Sequence, residues 1–219
     1  MKDIPNKTLA YILIIALIIS VTGTFISITK LRELFTPAGK VSGYVNVTIL
    51  SRAEITMTDT IIEFGSGYVN ETCSNCTIAS NGTTLYPACC VGMNATINWS
   101  YPINDNLTIE NTGSTNVVLY IASYQNASEF IGGTTVSPSF QIKVEEGEPG
   151  SCYGNLLIGW QEVNKTDDPT TDPGTQFCDN FTFTDTNDTL VVFAKLRIPR
   201  NAPAGTKTAT IVATAEVAE

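Results

Sequence analysis

The stretch Val41-Ser42-Gly43-Tyr44-Val45-Asn46-Val47-Thr48-Ile49 alternates residue by residue. In an extended chain, Val41, Gly43, Val45, Val47 and Ile49 face one side, and Ser42, Tyr44, Asn46 and Thr48 face the other. A period of two with β-branched residues on the apolar side is the pattern of a half-buried strand, and it places Asn46 on the wet face. The same texture continues through the chain, with candidate strands at 54–64, 95–99, 107–110, 116–123, 139–144, 156–160, 181–183, 189–198 and 207–217. Gly, Asn, Asp and Pro punctuate these runs, and no sustained helical period occurs after residue 38. Short strands joined by closely spaced turns predict an all-β fold, an antiparallel β-sandwich of Ig-like or jelly-roll type. Residues 41–219 suffice for one sizeable core or two small ones, and no Pro/Gly/Ser linker divides them.

Ahead of this region lies a different kind of sequence. Residues 9–29, LAYILIIALIISVTGTFISIT, carry no charge. A helix of that length covers about 30 Å, the thickness of a hydrocarbon core. The expected organisation is a cytoplasmic head at 1–8, a transmembrane or signal-anchor helix at 9–29, a tether at 30–40 containing Pro37 and Gly39, and an extracellular domain at 41–219. A cleaved signal peptide is the alternative, with Leu9 to Val21 as its apolar region and Val21-Thr22-Gly23 as a small-residue cleavage site. Lys2 and Lys7 on one side are matched by Lys30 and Arg32 on the other, so flanking charge does not orient the segment.

Sequons and cysteines supply the orientation instead. Twelve asparagines sit in the pattern Asn-x-Ser/Thr. Eleven lie beyond the apolar run: Asn46, Asn70, Asn75, Asn81, Asn94, Asn98, Asn106, Asn126, Asn164, Asn180 and Asn187, with Asn6 alone on the other side. Chance would place about three or four of the chain's asparagines in this acceptor pattern for N-linked glycan. All six cysteines also lie beyond the run, which puts that side in an oxidising compartment at the cell surface. Charge divides in the same way. Residues 1–40 hold five Lys/Arg against two acids, +3, and residues 41–219 hold seven against nineteen, −12. An acidic exterior with no Lys or Arg between Arg52 and Lys143 excludes nucleic acid as a partner.

Cys73, Cys76, Cys89 and Cys90 form one cluster, and Cys152 and Cys178 form a natural second pair. Because bridging adjacent cysteines strains the peptide, the 73/76 pair is expected to bond the 89/90 pair, in either of two crossings. A tetrathiolate zinc site has a similar inventory. Asp167, Asp168 and Asp172 supply three carboxylates in six positions as calcium candidates, and Asp185, Asn187 and Asp188 form a thinner cluster. A polar turn with side-chain caps explains the same residues. No other cofactor is indicated. The chain has no histidine, which removes Ser-His and Cys-His pairs and the commonest general base. Glu145, Glu146 and Glu148 lie in a Gly/Pro turn, where they read as a solvated loop rather than a catalytic pair. Trp99 and Trp160 each lie in an apolar run and read as core rather than as sugar platforms. No enzymatic activity is expected.

Two stretches carry a resemblance. Leu107-Thr-Ile-Glu-Asn-Thr-Gly113 together with 116–121, and the ending from Leu196 through Pro199, Pro203 and Gly205 to Ile211, look like strand–turn–strand units of Ig-like sandwiches in archaeal surface proteins. The layout of head, anchor and Thr/Asn-rich β-domain resembles single-pass archaeal surface glycoproteins and, more distantly, TasA/camelysin-type fibre subunits and archaeal bundling pili. This resemblance implies a structural cell-surface glycoprotein whose partners are copies of itself, the membrane through residues 9–29, and N-linked glycan. In the fibre subunits an amino-terminal strand is donated to a neighbour's groove, a role that would fall here to Val41, Val45, Val47 and Ile49. The other expectation is a monomeric membrane-anchored adhesin or binding module.

Overall fold

The computed structural model describes residues 6–34, 50–83, 88–93 and 97–218 of the chain. Two compact units are present, Met1–Ile49 and Leu50–Glu219. In the first, Asn6–Leu34 is a single helix, α1. Its apolar side chains from Tyr11 to Val21 are exposed, and two of its hydroxyls bond within the helix: Thr22 Oγ1 donates to Ile18 O and Thr24 Oγ1 to Ser20 O, each at 2.8 Å. Among the described residues no helix is long and apolar enough to cross a membrane. The described side chains of its apolar run end at Thr24, short of the expected end of the span at Thr29. The strand expected at 41–49, with Val41, Val45, Val47 and Ile49, lies outside the described residues, as do Asn46 and Asn94.

The second unit is built of antiparallel sheets. Its elements in chain order are β1 (Thr56–Asp59), β2 (Gly67–Val69), β3 (Asn75–Ala79), β4 (Cys90–Gly92), β5 (Leu107–Glu110), β6 (Val117–Ser123), a one-turn helix α2 (Ala127–Phe130), β7 (Ser139–Glu146), β8 (Gln161–Glu162), β9 (Thr175–Phe181), β10 (Thr189–Pro199) and β11 (Ile211–Val217). The larger sheet runs β1-β5-β10-β7-β8, with β3 also on β10. A second sheet has the order β11-β6-β9, and β2 pairs with β4 in a third.

β10 is the spine of the larger sheet because its sequence alternates without interruption. Leu190, Val192, Ala194 and Leu196 are buried, while Val191, Phe193, Lys195 and Arg197 face the other way. One edge of β10 is taken by β7, from Leu190↔Glu146 to Arg197↔Ser139. The other is shared, β5 covering Thr189–Val192 and β3 covering Lys195–Pro199. Ala194 falls at the join. Its N–H donates to Ser80 Oγ at 3.0 Å and its carbonyl accepts from Ser80 N at 2.9 Å, so a fully buried serine completes the ladder where neither strand reaches.

Val117, Leu119 and Ile121 of β6 and Phe177, Cys178 and Phe181 of β9 join the buried face of the larger sheet in one hydrophobic cluster. Each such side chain contributes roughly 1.5–3 kcal/mol by leaving water. Asn111, almost fully buried, ties the end of β5 to the second sheet: its Nδ2 donates to Thr115 O at 3.1 Å and to Phe181 O at 3.0 Å.

The expected strands at 107–110, 116–123, 139–144, 189–198 and 207–217 correspond to β5, β6, β7, β10 and β11. Three differ. The 54–64 run shortens to β1, the 156–160 run contributes only a bridge from Leu156 to Cys178, and the run at 181–183 ends a strand rather than beginning one. Thr182 leaves the sheet because its N–H is taken by Ser151 O at 3.0 Å, and Phe183 beyond it is exposed. Of 95–99, residues 95–96 lie outside the described residues and Asn98 bridges to Ser66.

Candidate functional site

The six cysteines are paired as Cys73–Cys89, Cys76–Cys90 and Cys152–Cys178, with Cα separations of 5.6, 5.1 and 5.8 Å. The 73/76 pair therefore bonds the 89/90 pair in the parallel crossing. Their sulfurs are covalently engaged, which removes the thiolates a zinc site would need. Cys76 is fully buried at β3 and Cys90 nearly so at β4, so this bridge sews the small sheet to the larger one through the core.

Cys152–Cys178 does a different job. It fastens the segment 151–157 along the outer edge of β9, where Tyr153 N donates to Asn180 O at 2.9 Å, Leu157 N to Phe177 O at 2.8 Å and Thr182 N to Ser151 O at 3.0 Å. Asp179 N returns a bond to Asn155 O at 3.2 Å. Segment 151–157 thus blunts one edge of the second sheet. Other exposed edges are blunted by other means. β1 has four residues and a register shift between Met57 and Asp59; β8 has two residues. The part of β7 beyond β8 carries the Lys143–Glu145 ion pair.

Among the described residues β11 has no such device. It is seven residues long, free of Pro and Gly, with Glu216 as its single charge. Tyr124 N donates to Thr210 O at 3.2 Å and Ala218 N to Asn116 O at 3.1 Å, bracketing the β11–β6 register from Ile211↔Ser123 to Val217↔Val117. Even-numbered residues therefore bond β6 and odd-numbered ones turn their N–H and C=O outward. At Ile211, Ala213, Ala215 and Val217 these groups meet no partner among the described residues.

Nine of the outer sequon asparagines are described; Asn164 is exposed and Asn70, Asn75, Asn81, Asn98, Asn106, Asn126, Asn180 and Asn187 are half-buried. Several are occupied in local turns. Asn70 Oδ1 accepts from both Thr72 N and Thr72 Oγ1 at 3.1 Å, Asn98 Oδ1 from Ser100 N at 2.9 Å and Asn106 Oδ1 from Thr108 Oγ1 at 3.1 Å. Asn126 caps α2, accepting from Glu129 N at 2.9 Å. Asn81, Asn180 and Asn187 each bury Oδ1 with no hydrogen-bond partner among the described residues.

The acidic candidates do not converge. Asp168 Oδ1 accepts from Thr170 N at 2.9 Å and Thr170 Oγ1 at 2.7 Å, which holds its carboxyl below the usual range. Asp167 lies 3.7 Å from Lys165 Nζ, and Asp172 donates its N–H to Asp168 O at 3.0 Å. Among the described residues no group of three or more such side chains is arranged to hold a metal ion, and Asp168 forms the capped turn. Glu146 accepts from Gly150 N and Cys152 N, each at 3.1 Å, closing its own loop, and Glu148 accepts from Asp188 N at 3.0 Å, tying that loop to the start of β10. Burial pushes the Asp188 carboxyl up, reinforced by Glu148 and Asp185 nearby.

Trp99 packs against the core with Nε1 donating to Phe64 O at 2.7 Å. Trp160 instead leaves the core and lies under Lys195, whose Nζ is 4.6 Å from the ring centroid. Burial lowers the Lys195 pKa, opposed by Glu162.

No protein-family model, curated protein or solved structure matches the chain.

Proposed function

We propose that this protein is a non-enzymatic structural glycoprotein of the cell surface, held to the membrane through residues 9–29 and associating with copies of itself in a filament or coat. The observation that carries the reading is the pairing of all six cysteines within the Leu50–Glu219 unit, a framework suited to an oxidising exterior. Eleven sequons beyond the apolar run and the acidic balance of residues 41–219 support it. Self-association is supported by the edge of β11, which no described residue protects. The shared core of the two larger sheets supports reading them as the leaves of a sandwich.

The test is imaging of native cell-surface material together with protease treatment of intact cells. Periodic arrays or filaments that contain the protein, with residues 50–218 cleaved from outside, are expected. Protection of that region in intact cells would overturn the surface assignment. A second reading, a monomeric binding module, is favoured by Tyr153 and Ile158, which are 74% and 75% exposed in the Cys152–Cys178 loop. It predicts a dispersed protein whose ligand binding is lost when those two side chains are truncated.

A further inference from the structure

The β11 edge is specific enough to name what pairs with it. Four residues, Ile211, Ala213, Ala215 and Val217, direct N–H and C=O groups away from β6, so the matching surface is another extended chain. Around Thr214 the strand is nearly palindromic in side-chain size: Ala213 balances Ala215, and Ile211 balances Val217. Ile211, Ala213 and Ala215 pack against the core, so a copy turned about a two-fold axis would continue the same apolar layer. Val217 is half exposed in the single chain and would be covered by a partner's Ile211.

We infer that β11 pairs antiparallel with β11 of a second copy, with Thr214 opposite Thr214, joining two three-stranded sheets into one of six. Charge selects this register. Glu216 falls opposite Val212 of the other copy, whereas the register two residues further along would set Glu216 against Glu216. The odd residues form the hydrogen-bonded pairs, 211 with 217 and 213 with 215. Thr214 and the Val212/Glu216 pair fall in non-hydrogen-bonded positions, where Cα atoms approach to about 4.5 Å. The contact is isologous and closes as a dimer, so a filament or coat would need a second interface. The inference rests on the self-association reading above and specifies its contact.

Cysteine scanning of the full-length protein on cells tests it. At about 4.5 Å, a Thr214→Cys pair lies within the range of about 4.4–6.8 Å that a disulfide spans. Thr214→Cys is therefore expected to give a reducible dimer, with the 214–214 linkage identified by peptide mapping. Val212→Cys alone and Glu216→Cys alone are expected to stay unlinked, since four residues of strand offset put each about 13 Å from its copy. Co-expressed, they should link to one another. Ala215→Pro removes an outward N–H that β6 does not use, and is expected to abolish the Thr214→Cys linkage while leaving the near-ultraviolet circular dichroism of the domain unchanged. An unlinked Thr214→Cys protein that still assembles overturns the β11 contact and leaves the surface reading standing. Single Val212→Cys linking as readily as Thr214→Cys overturns the register. A protein that is monomeric at every concentration, with no arrays on cells, overturns both.

Discussion

Ser80 has a role out of proportion to its size. It supplies both hydrogen bonds to Ala194 at the join between β3 and β5, in a site closed to water. Ser80→Ala is expected to leave the Ala194 N–H without an acceptor and to destabilise the domain by about 1–3 kcal/mol, measurable by urea unfolding. Asp188 acts in the opposite sense. Its folded pKa is raised by burial, so the folded state binds the proton more tightly than the unfolded chain does. Its contribution to stability therefore falls as pH rises from the ordinary carboxylate value through the raised one. Asp188→Asn should be more stable than the native protein at pH 7, with the gap closing as pH drops below about 4. Thermal unfolding across that range decides it, and an unchanged gap would contradict the assignment. Gly113 illustrates a residue fixed by close approach, since a Cβ there would lie 2.3 Å from Arg52 O.

At the scale of elements, the informative contrast is between the two outer strands of the β11-β6-β9 sheet. β9 is covered by segment 151–157 and its disulfide, while β11 is open among the described residues. Replacing Cys152 and Cys178 together by alanine opens a loop whose ends are 26 residues apart, a loss of about 3 kcal/mol in the chain-entropy model. The same change frees the β9 edge, so the variant is expected to aggregate on heating where the native protein does not. Light scattering during a thermal ramp reads this directly. In β10 the alternation is so regular that Leu190→Ala is expected to cost about 2–5 kcal/mol, whereas truncating Lys195 on the opposite face should remove chiefly its contact with Trp160.

For the whole molecule, charge works against assembly. Residues 41–219 carry −12, so copies repel one another at long range. Association through β11 is then expected to strengthen as salt rises from about 0.01 M to 0.15 M, because the Debye length falls from about 30 Å to about 8 Å. Sedimentation velocity at a fixed protein concentration would show it; weaker association with added salt would point to ion pairs across the contact instead.

Much of the fold was legible in local pattern. Short β-branched runs set off by turn residues located β5, β6, β7, β10 and β11, because such residues pack on a pleated surface while Gly, Pro, Asn and Asp close the turns. Cysteine spacing likewise restricted the bonding to two crossings and a separate bridge. What sequence left open depended on contacts between distant residues. β9 was misplaced because Phe177 and Cys178 are adjacent yet both buried, where register shifts against β6 break the alternation. Trp160 sits in an apolar run but, just ahead of β8, lies under Lys195 on the face of β10 turned away from the core, a contact between residues distant in sequence. The choice of Cys73–Cys89 with Cys76–Cys90 came from β3 and β4 meeting in space. Above all, the sequence of β11 suits a covered strand as well as an open one; that no described strand lies beyond it is a fact of tertiary structure, since a strand is an edge only where no neighbour pairs with it.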